Sequence, residues 1–239
     1  MTQSHTTLGA NRTGIATAPR LTAEMLEGSK EFSPDGAGDQ REIALARTDV
    51  AREAEPVGSV PPPPTLKGML KSAAQVLKGE SPTLFIDKLG ERLAFERTGV
   101  RVYEAALSKL EALGSFEGGP SRGELEAILA DEFAHFILLQ DALRRLGADP
   151  TVMTPSADIH ATIGKGAVEV VVDPRTTLLQ TLEAVLVIEL ADNECWDQLT
   201  QLAAAAGQVE LAHQFAAAGA EEQEHLAKIR RYVAAAKGL

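Results

Sequence analysis

Residues 211–233 read LAHQFAAAGAEEQEHLAKIRRYV. Leu211, Phe215, Ala218, Ile229 and Val233 recur there at steps of three and four, the spacing of one face of an α-helix. The face is apolar except at its middle, where Glu222 and His225 stand one turn apart. A helix that buries this stripe buries a carboxylate and an imidazole with it. Three earlier segments repeat the pattern. One carries Ile86, Leu89, Leu93, Glu96, Val100, Tyr103, Leu107 and Leu110. The next carries Leu125, Ile128, Glu132, His135, Leu139, Leu143 and Leu146. The third carries Leu178, Leu182, Val185, Glu189, Asp192, Trp196 and Leu199. Four stripes thus each place a glutamate where a leucine is expected, and two add a histidine three residues on. Glu96 precedes Glu132 by 36 residues and Glu189 precedes Glu222 by 33, as if one helix pair were used twice.

The helix limits follow from local signals. Ser81 before Pro82 suits a start, and the first helix is expected over about 82–113. Ser121 and Glu124 have capping-box spacing and Gly147 suits a stop, giving a second helix over about 122–146. Asp173 before Pro174 is a candidate cap for the third, which ends near Gly207, and the fourth spans about 209–236. Short loops join the first helix to the second and the third to the fourth, which makes antiparallel neighbours. The connection from Gly147 to Asp173 is long enough to return along the bundle, so the third helix can run parallel to the second. Within it, residues 165–172 (KGAVEVVV) fit either a short crossover helix or an extended segment. The expected fold is all-α: an antiparallel four-helix bundle over 81–239 with a long crossover between its second and third helices.

The remainder is unlike the bundle. Residues 1–64 are rich in Thr, Gly, Ser and Pro and end in Pro61–Pro64, a run that excludes helix interior. They read as an extended, partly disordered arm, with short helices near 21–29 and 40–53. Residues 65–80 form a short basic amphipathic helix carrying Lys67, Lys71 and Lys78, suited to docking a partner or to packing on its own bundle.

The 239 residues are 44% apolar, enough for a real core, and the low aromatic content favours helices over sheets. A net charge of −11 argues against nucleic acid and anionic membranes as partners. One cysteine excludes an internal disulfide framework, and the first residues lack a secretory core. A cytoplasmic protein is expected.

Buried ionised carboxylates cost several kcal/mol each or take up protons. No Lys or Arg stands on the four stripes to compensate. Two divalent cations would balance four glutamates, with the imidazoles completing coordination. Mixed oxygen and nitrogen donors suit iron or manganese better than calcium or magnesium, and zinc fits by ligand type. The expected metal ligands are therefore Glu96, Glu132, His135, Glu189, Glu222 and His225. A third Glu-x-x-His, Glu210 with His213, lies off the stripe and reads as solvated. Glu91 and Glu194, about 140° off their stripes, and Glu183, about 120° off, face away from the site, and Glu104 at about 80° is a weaker contender. Asp192 is an acceptor behind the ligands or a substitute ligand, and Asp131 is a candidate acceptor for a histidine N–H. Tyr103, two turns beyond Glu96, is placed to bond a ligand carboxylate, to assist electron transfer, or simply to fill the core. Trp196 reads as core. Cys195 and His160 show no ligand spacing.

At these residues the chain resembles the ferritin-like superfamily of di-metal carboxylate proteins, which includes bacterioferritins and rubrerythrins. The resemblance covers about 81–239 and rests on Glu96, DEFAHF (131–136), IELADNECW (188–196) and EEQEHL (221–226). Tyr103 also matches a common position of ferritin sites. The resemblance implies that two Fe(II) ions bind and react with oxygen or hydrogen peroxide, in iron handling or oxidative-stress defence, with manganese as the other metal. It also implies a homo-oligomer, a dimer among the options. The long arm and crossover are not typical of cage-forming ferritins, no methionine stands as a haem ligand, and no CxxC pair exists for a rubredoxin-type relay. Two rival reactions use the same site, a di-iron oxygenase and a di-manganese catalase. A third rival is a metal-free bundle that binds a partner.

Overall fold

The computed structural model describes residues 8–10, 13–36, 38–64 and 82–239. The expected basic helix at 65–80 and the Ser81 start lie outside the described residues. The chain divides into two compact units, Ser4–Pro56 and one that holds Val57–Leu239.

The first unit contains α1 (Pro19–Ser29), a 3-10 turn (Lys30–Phe32) and α2 (Gln40–Glu53). The Asp39 side chain caps α2 by accepting from the Arg41 N–H at 2.8 Å. Neither helix buries a residue, and Leu21, Met25, Ile43 and Leu45 are exposed. Pairs such as Arg20–Glu24 at 2.9 Å are solvated and contribute about 0.5 kcal/mol at most.

The second unit is helical throughout its described ordered elements: α3 (Pro82–Leu113), α4 (Arg122–Leu146), α5 (Pro155–Val172), α6 (Leu178–Ala205) and α7 (Val209–Lys237). Ser121 and Glu124 form the expected capping box, and Gly147 closes α4 in the left-handed region at φ 82°. The crossover is a full helix, α5, started by the Thr154 side chain accepting from Ala157 N–H at 3.3 Å. Asp173 does not cap α6. The residue before a proline is held out of the α region, so Asp173 ends α5 in an extended conformation and a turn intervenes. Thr177 caps α6 instead, in a second capping box with Gln180.

Two apolar clusters reveal the helix directions. One gathers Phe85, Leu89 and Leu93 from the start of α3, Leu139 and Leu143 from the end of α4, Leu199 from the end of α6 and Phe215 from the start of α7. The other gathers Leu110, Leu125, Leu182 and Val233 from the opposite helix ends. So α3 and α7 run one way while α4 and α6 run the other, and α4 and α6 are parallel as the long connection allows. The crossover α5 lies along α3. At one end Thr154 donates to Asp87 O and the Asp87 carboxylate accepts from Ser156, and at the other Lys109 reaches Asp173 O. Gly90 makes this approach close, since a Cβ there would stand 2.6 Å from Thr154 Oγ1.

Between the two clusters sits a polar belt. Glu96, Glu132, His135, Glu189, Asp192, Glu222 and His225 are all 3% exposed or less, at mid-bundle where a continuous core would otherwise run.

Candidate metal centre

All six side chains singled out as ligands converge. Their donor atoms form two groups, each spanning no more than 4.8 Å. One group is Glu96, His135 and Glu222, and the other is Glu132, Glu189, Glu222 and His225. Glu222 belongs to both. Its Oε1 lies 2.7 Å from His135 Nδ1 and its Oε2 lies 3.2 Å from His225 Nδ1. The Glu-x-x-His pair of α4 is therefore divided: His135 joins Glu96, while Glu132 joins His225 from α7.

The outer ring nitrogens orient the histidines. His225 Nε2 faces Asp131 Oδ2 at 3.1 Å, and His135 Nε2 faces Glu221 Oε2 at 2.7 Å. Each acidic residue directly precedes a glutamate of the donor groups on its own helix and holds the histidine of the other helix. Asp131 was a candidate for this task. Glu221 is its counterpart in the second half and is visible in the sequence once the repeat is laid over itself. An imidazole that donates from Nε2 presents a lone pair at Nδ1. Both Nδ1 atoms thus point inward at carboxylate oxygens, an arrangement that needs a cation or a proton between them.

The unsatisfied atoms mark the same place. Glu96 Oε2, His135 Nδ1, Glu189 Oε2 and Glu222 Oε1 are buried without a hydrogen-bond partner. Buried polar atoms are normally paired, and these four orphans, divided between the two donor groups, fit donors left for a metal ion. Burial and the neighbouring Glu222 charge push the Glu189 carboxyl up to about 8, and burial with the charges of Glu222 and Glu96 raises Glu132 well above the carboxylate range. Burial works against an ionised Glu222, but its two imidazole neighbours hold it at about 2. Burial disfavours the His135 imidazolium, yet Glu222 and Glu96 raise it to about 9.

Arg92 corrects the expectation that no cationic side chain serves the site. It is 1% exposed and its guanidinium contacts both Glu96 and Asp192. It stands one turn before Glu96, about 40° away on the helix, between stripe positions Leu89 and Leu93. With Asp192 included, the belt holds five carboxylates, one guanidinium and two imidazoles. Two divalent cations bring that set to neutrality, whereas four glutamates alone would leave Arg92 in excess. Asp192 thus pairs with Arg92 and not with a histidine.

The other candidates are placed as follows. The Tyr103 hydroxyl donates to Glu189 Oε1, and burial followed by that glutamate's charge keeps the phenol protonated. Trp196 is buried and packs its ring edge-on against His135, centroids 5.4 Å apart. Asn193, which the sequence did not single out, donates to Glu189 O at 2.9 Å and Glu222 O at 3.0 Å, tying α6 to α7 beside the ligands. Gly99 leaves room for Glu132: a Cβ at this position would overlap the Glu132 carboxylate as it now stands. Glu104, Glu194, Glu210 and His213 are exposed, and Glu183 pairs with Lys237 at 2.7 Å. Glu91 departs from its expected outward place. It is 5% exposed because the crossover helix covers that side of α3.

The described part of the second unit is an all-α bundle with a buried carboxylate–histidine belt whose donor atoms form two groups that could each hold a metal ion. No protein-family model matches the chain, and no curated protein matches it. A solved structure described as ferritin like, diiron-carboxylate proteins from Bacillus anthracis str. Ames is 18% identical, covers 62% of this chain and 94% of its own, and aligns with a TM-score of 0.47. No helix among the described residues is long and apolar enough to cross a membrane.

Proposed function

We propose that this chain is a di-iron carboxylate protein that oxidises Fe(II) with oxygen or hydrogen peroxide, as the ferritin-like resemblance implies. The observation that carries the reading is Glu222, shared by two donor groups that between them hold four buried polar atoms without a hydrogen-bond partner. Glu96, His135 and Glu222 would hold one ion, and Glu132, Glu189, Glu222 and His225 the other. Bound iron supplies the electrons passed to the oxidant. The protein supplies the rest. Glu222 would offer one oxygen to each ion, and the outer carboxylates Asp131 and Glu221 fix the imidazoles. Arg92 holds the Glu96 carboxylate from the side away from the ligands. Tyr103 keeps a hydroxyl proton on Glu189 Oε1. Trp196, Phe215 and Leu139 dry one end of the belt, and Leu182 and Ile229 dry the other. Ligands this deeply buried suit an oxidant of a few atoms better than an organic substrate.

The test is anaerobic loading of metal-depleted protein with Fe(II), followed by air or peroxide. Two Fe(II) per chain should be oxidised at the protein, with a ferric absorbance absent from Glu222→Ala. Uptake of fewer than one iron or manganese per chain would support the metal-free bundle instead. Oxygen release from peroxide by manganese-loaded protein would move the reading to a catalase.

A further inference from the structure

About 140° around α3 from Glu96, a second group of donors meets beneath the crossover helix. Glu91 of α3, His160 of α5 and Cys195 of α6 bring a carboxylate oxygen, a ring nitrogen and a thiol sulfur within 4.8 Å of one another. His160 Nε2 lies 3.4 Å from Glu91 Oε1. The other oxygen of Glu91 accepts from Lys88 Nζ, so the carboxylate is anchored by one oxygen and presents the other. The His160 ring is set by an edge contact with Phe95, centroids 6.0 Å apart, and its Nδ1 is buried without a hydrogen bond. His160 and Cys195 are half-buried, which leaves an approach from solvent.

We propose that Glu91, His160 and Cys195 form a mononuclear site for a divalent transition-metal ion of the zinc class, with its fourth position open to water. Tetrahedral bonds of about 2.0 Å to oxygen and nitrogen and about 2.3 Å to sulfur place donors roughly 3.5 Å apart, close to the 3.4 Å between His160 and Glu91. A thiolate with an imidazole selects a borderline-soft cation over magnesium or calcium. The two cationic neighbours are themselves engaged, Lys88 by Glu91 and Arg92 by Glu96 and Asp192. Binding displaces the thiol proton to solvent and involves no redox change. The ion would fasten α5 to α3 and α6, pinning the crossover over the bundle. This site uses none of the six residues of the dinuclear centre and does not depend on that reading.

Cobalt(II) is the probe, because its thiolate complexes absorb in the near ultraviolet and the chain has a single cysteine. The full chain, depleted of metal and titrated with Co²⁺, should develop that absorbance. It should bind one Co²⁺ more than Cys195→Ser, which should lack the band while keeping its helical circular dichroism. The band should also be lost in His160→Ala and retained in Glu222→Ala. Three equivalents of Zn²⁺ per chain, enough to fill the dinuclear centre as well, should slow alkylation of Cys195 at least tenfold, and Mg²⁺ should not. No band at saturating Co²⁺, a band unchanged in His160→Ala, or alkylation indifferent to Zn²⁺ would each overturn the proposal.

Discussion

His135 Nδ1 and Glu222 Oε1 lie 2.7 Å apart, and neither makes a hydrogen bond of acceptable direction. Because Glu222 also approaches His225, it is the one carboxylate common to both donor groups. The loss of this side chain should therefore differ in kind from the loss of any other ligand. Glu222→Ala is expected to retain close to no iron after anaerobic loading and desalting, whereas His135→Ala should retain about one ion of two. The apolar clusters on either side of the belt are untouched by both substitutions, so both variants should stay helical. Metal analysis decides it, and equal losses in the two variants would remove Glu222 from its bridging place.

The metal-free protein should lose stability as pH rises from 6 to 9. Glu189, raised to about 8, keeps a proton in the folded state that the unfolded chain releases near 4.5. Its contribution is complete below 4.5 and is lost as pH climbs through 8. His135, raised to about 9, adds in the same direction: its contribution is full below 6.5 and lost as pH passes 9. Glu222, held at about 2, contributes above 4.5 and loses that only in strong acid, outside this window. The Tm of chelator-treated protein should fall by at least about 5 °C across the range, and iron or manganese loading should flatten the trend. Equal Tm values at pH 6 and 9 without metal would show that the belt is not a buried charge cluster.

The sequence revealed the belt because Glu222 and its three counterparts break otherwise apolar stripes, and periodicity reports such breaks well. It failed where burial came from a neighbour outside the four stripes. Glu91 lies on a side of α3 that a four-helix bundle would expose, and only the crossover helix buries it. Residues 165–172 of that helix fit a helical and an extended repeat equally well, so the sequence alone does not place it. His160 and Cys195, far apart in sequence, could not be paired before α5 was placed. Arg92 was missed for a different reason. A stripe drawn through Leu89, Leu93 and Glu96 steps over the position between them, although that position faces the same way.

Arg92 is the group whose removal should cost most stability. Truncating one member of a buried ion pair leaves the others uncompensated and typically costs about 3–5 kcal/mol. Arg92→Met should destabilise the metal-free protein by that order in urea unfolding, since Glu96 and Asp192 lose their shared cation. Adding Asp192→Asn should recover a substantial part, because one of the two stranded charges is gone. No recovery in the double variant would mean that Arg92 acts by packing against Phe95 and Trp196, with its guanidinium carbon 4.6 and 5.4 Å from their ring centroids.

Gly99 offers a test that leaves every ligand in place. Alanine is a better helix residue than glycine by about 1 kcal/mol, so at an indifferent helical position Gly99→Ala would stabilise α3. Here the added methyl would occupy the space of the Glu132 carboxylate. The carboxylate must swing away from the group it shares with Glu189, Glu222 and His225. The group around Glu96 and His135 does not include Glu132 and should persist. Gly99→Ala is thus expected to bind one metal tightly and the second at least tenfold more weakly, with the helical signal unchanged, as read by anaerobic titration. Two ions bound at undiminished affinity would show that Glu132 does not need the space beside Gly99, and would remove it from the ligand set.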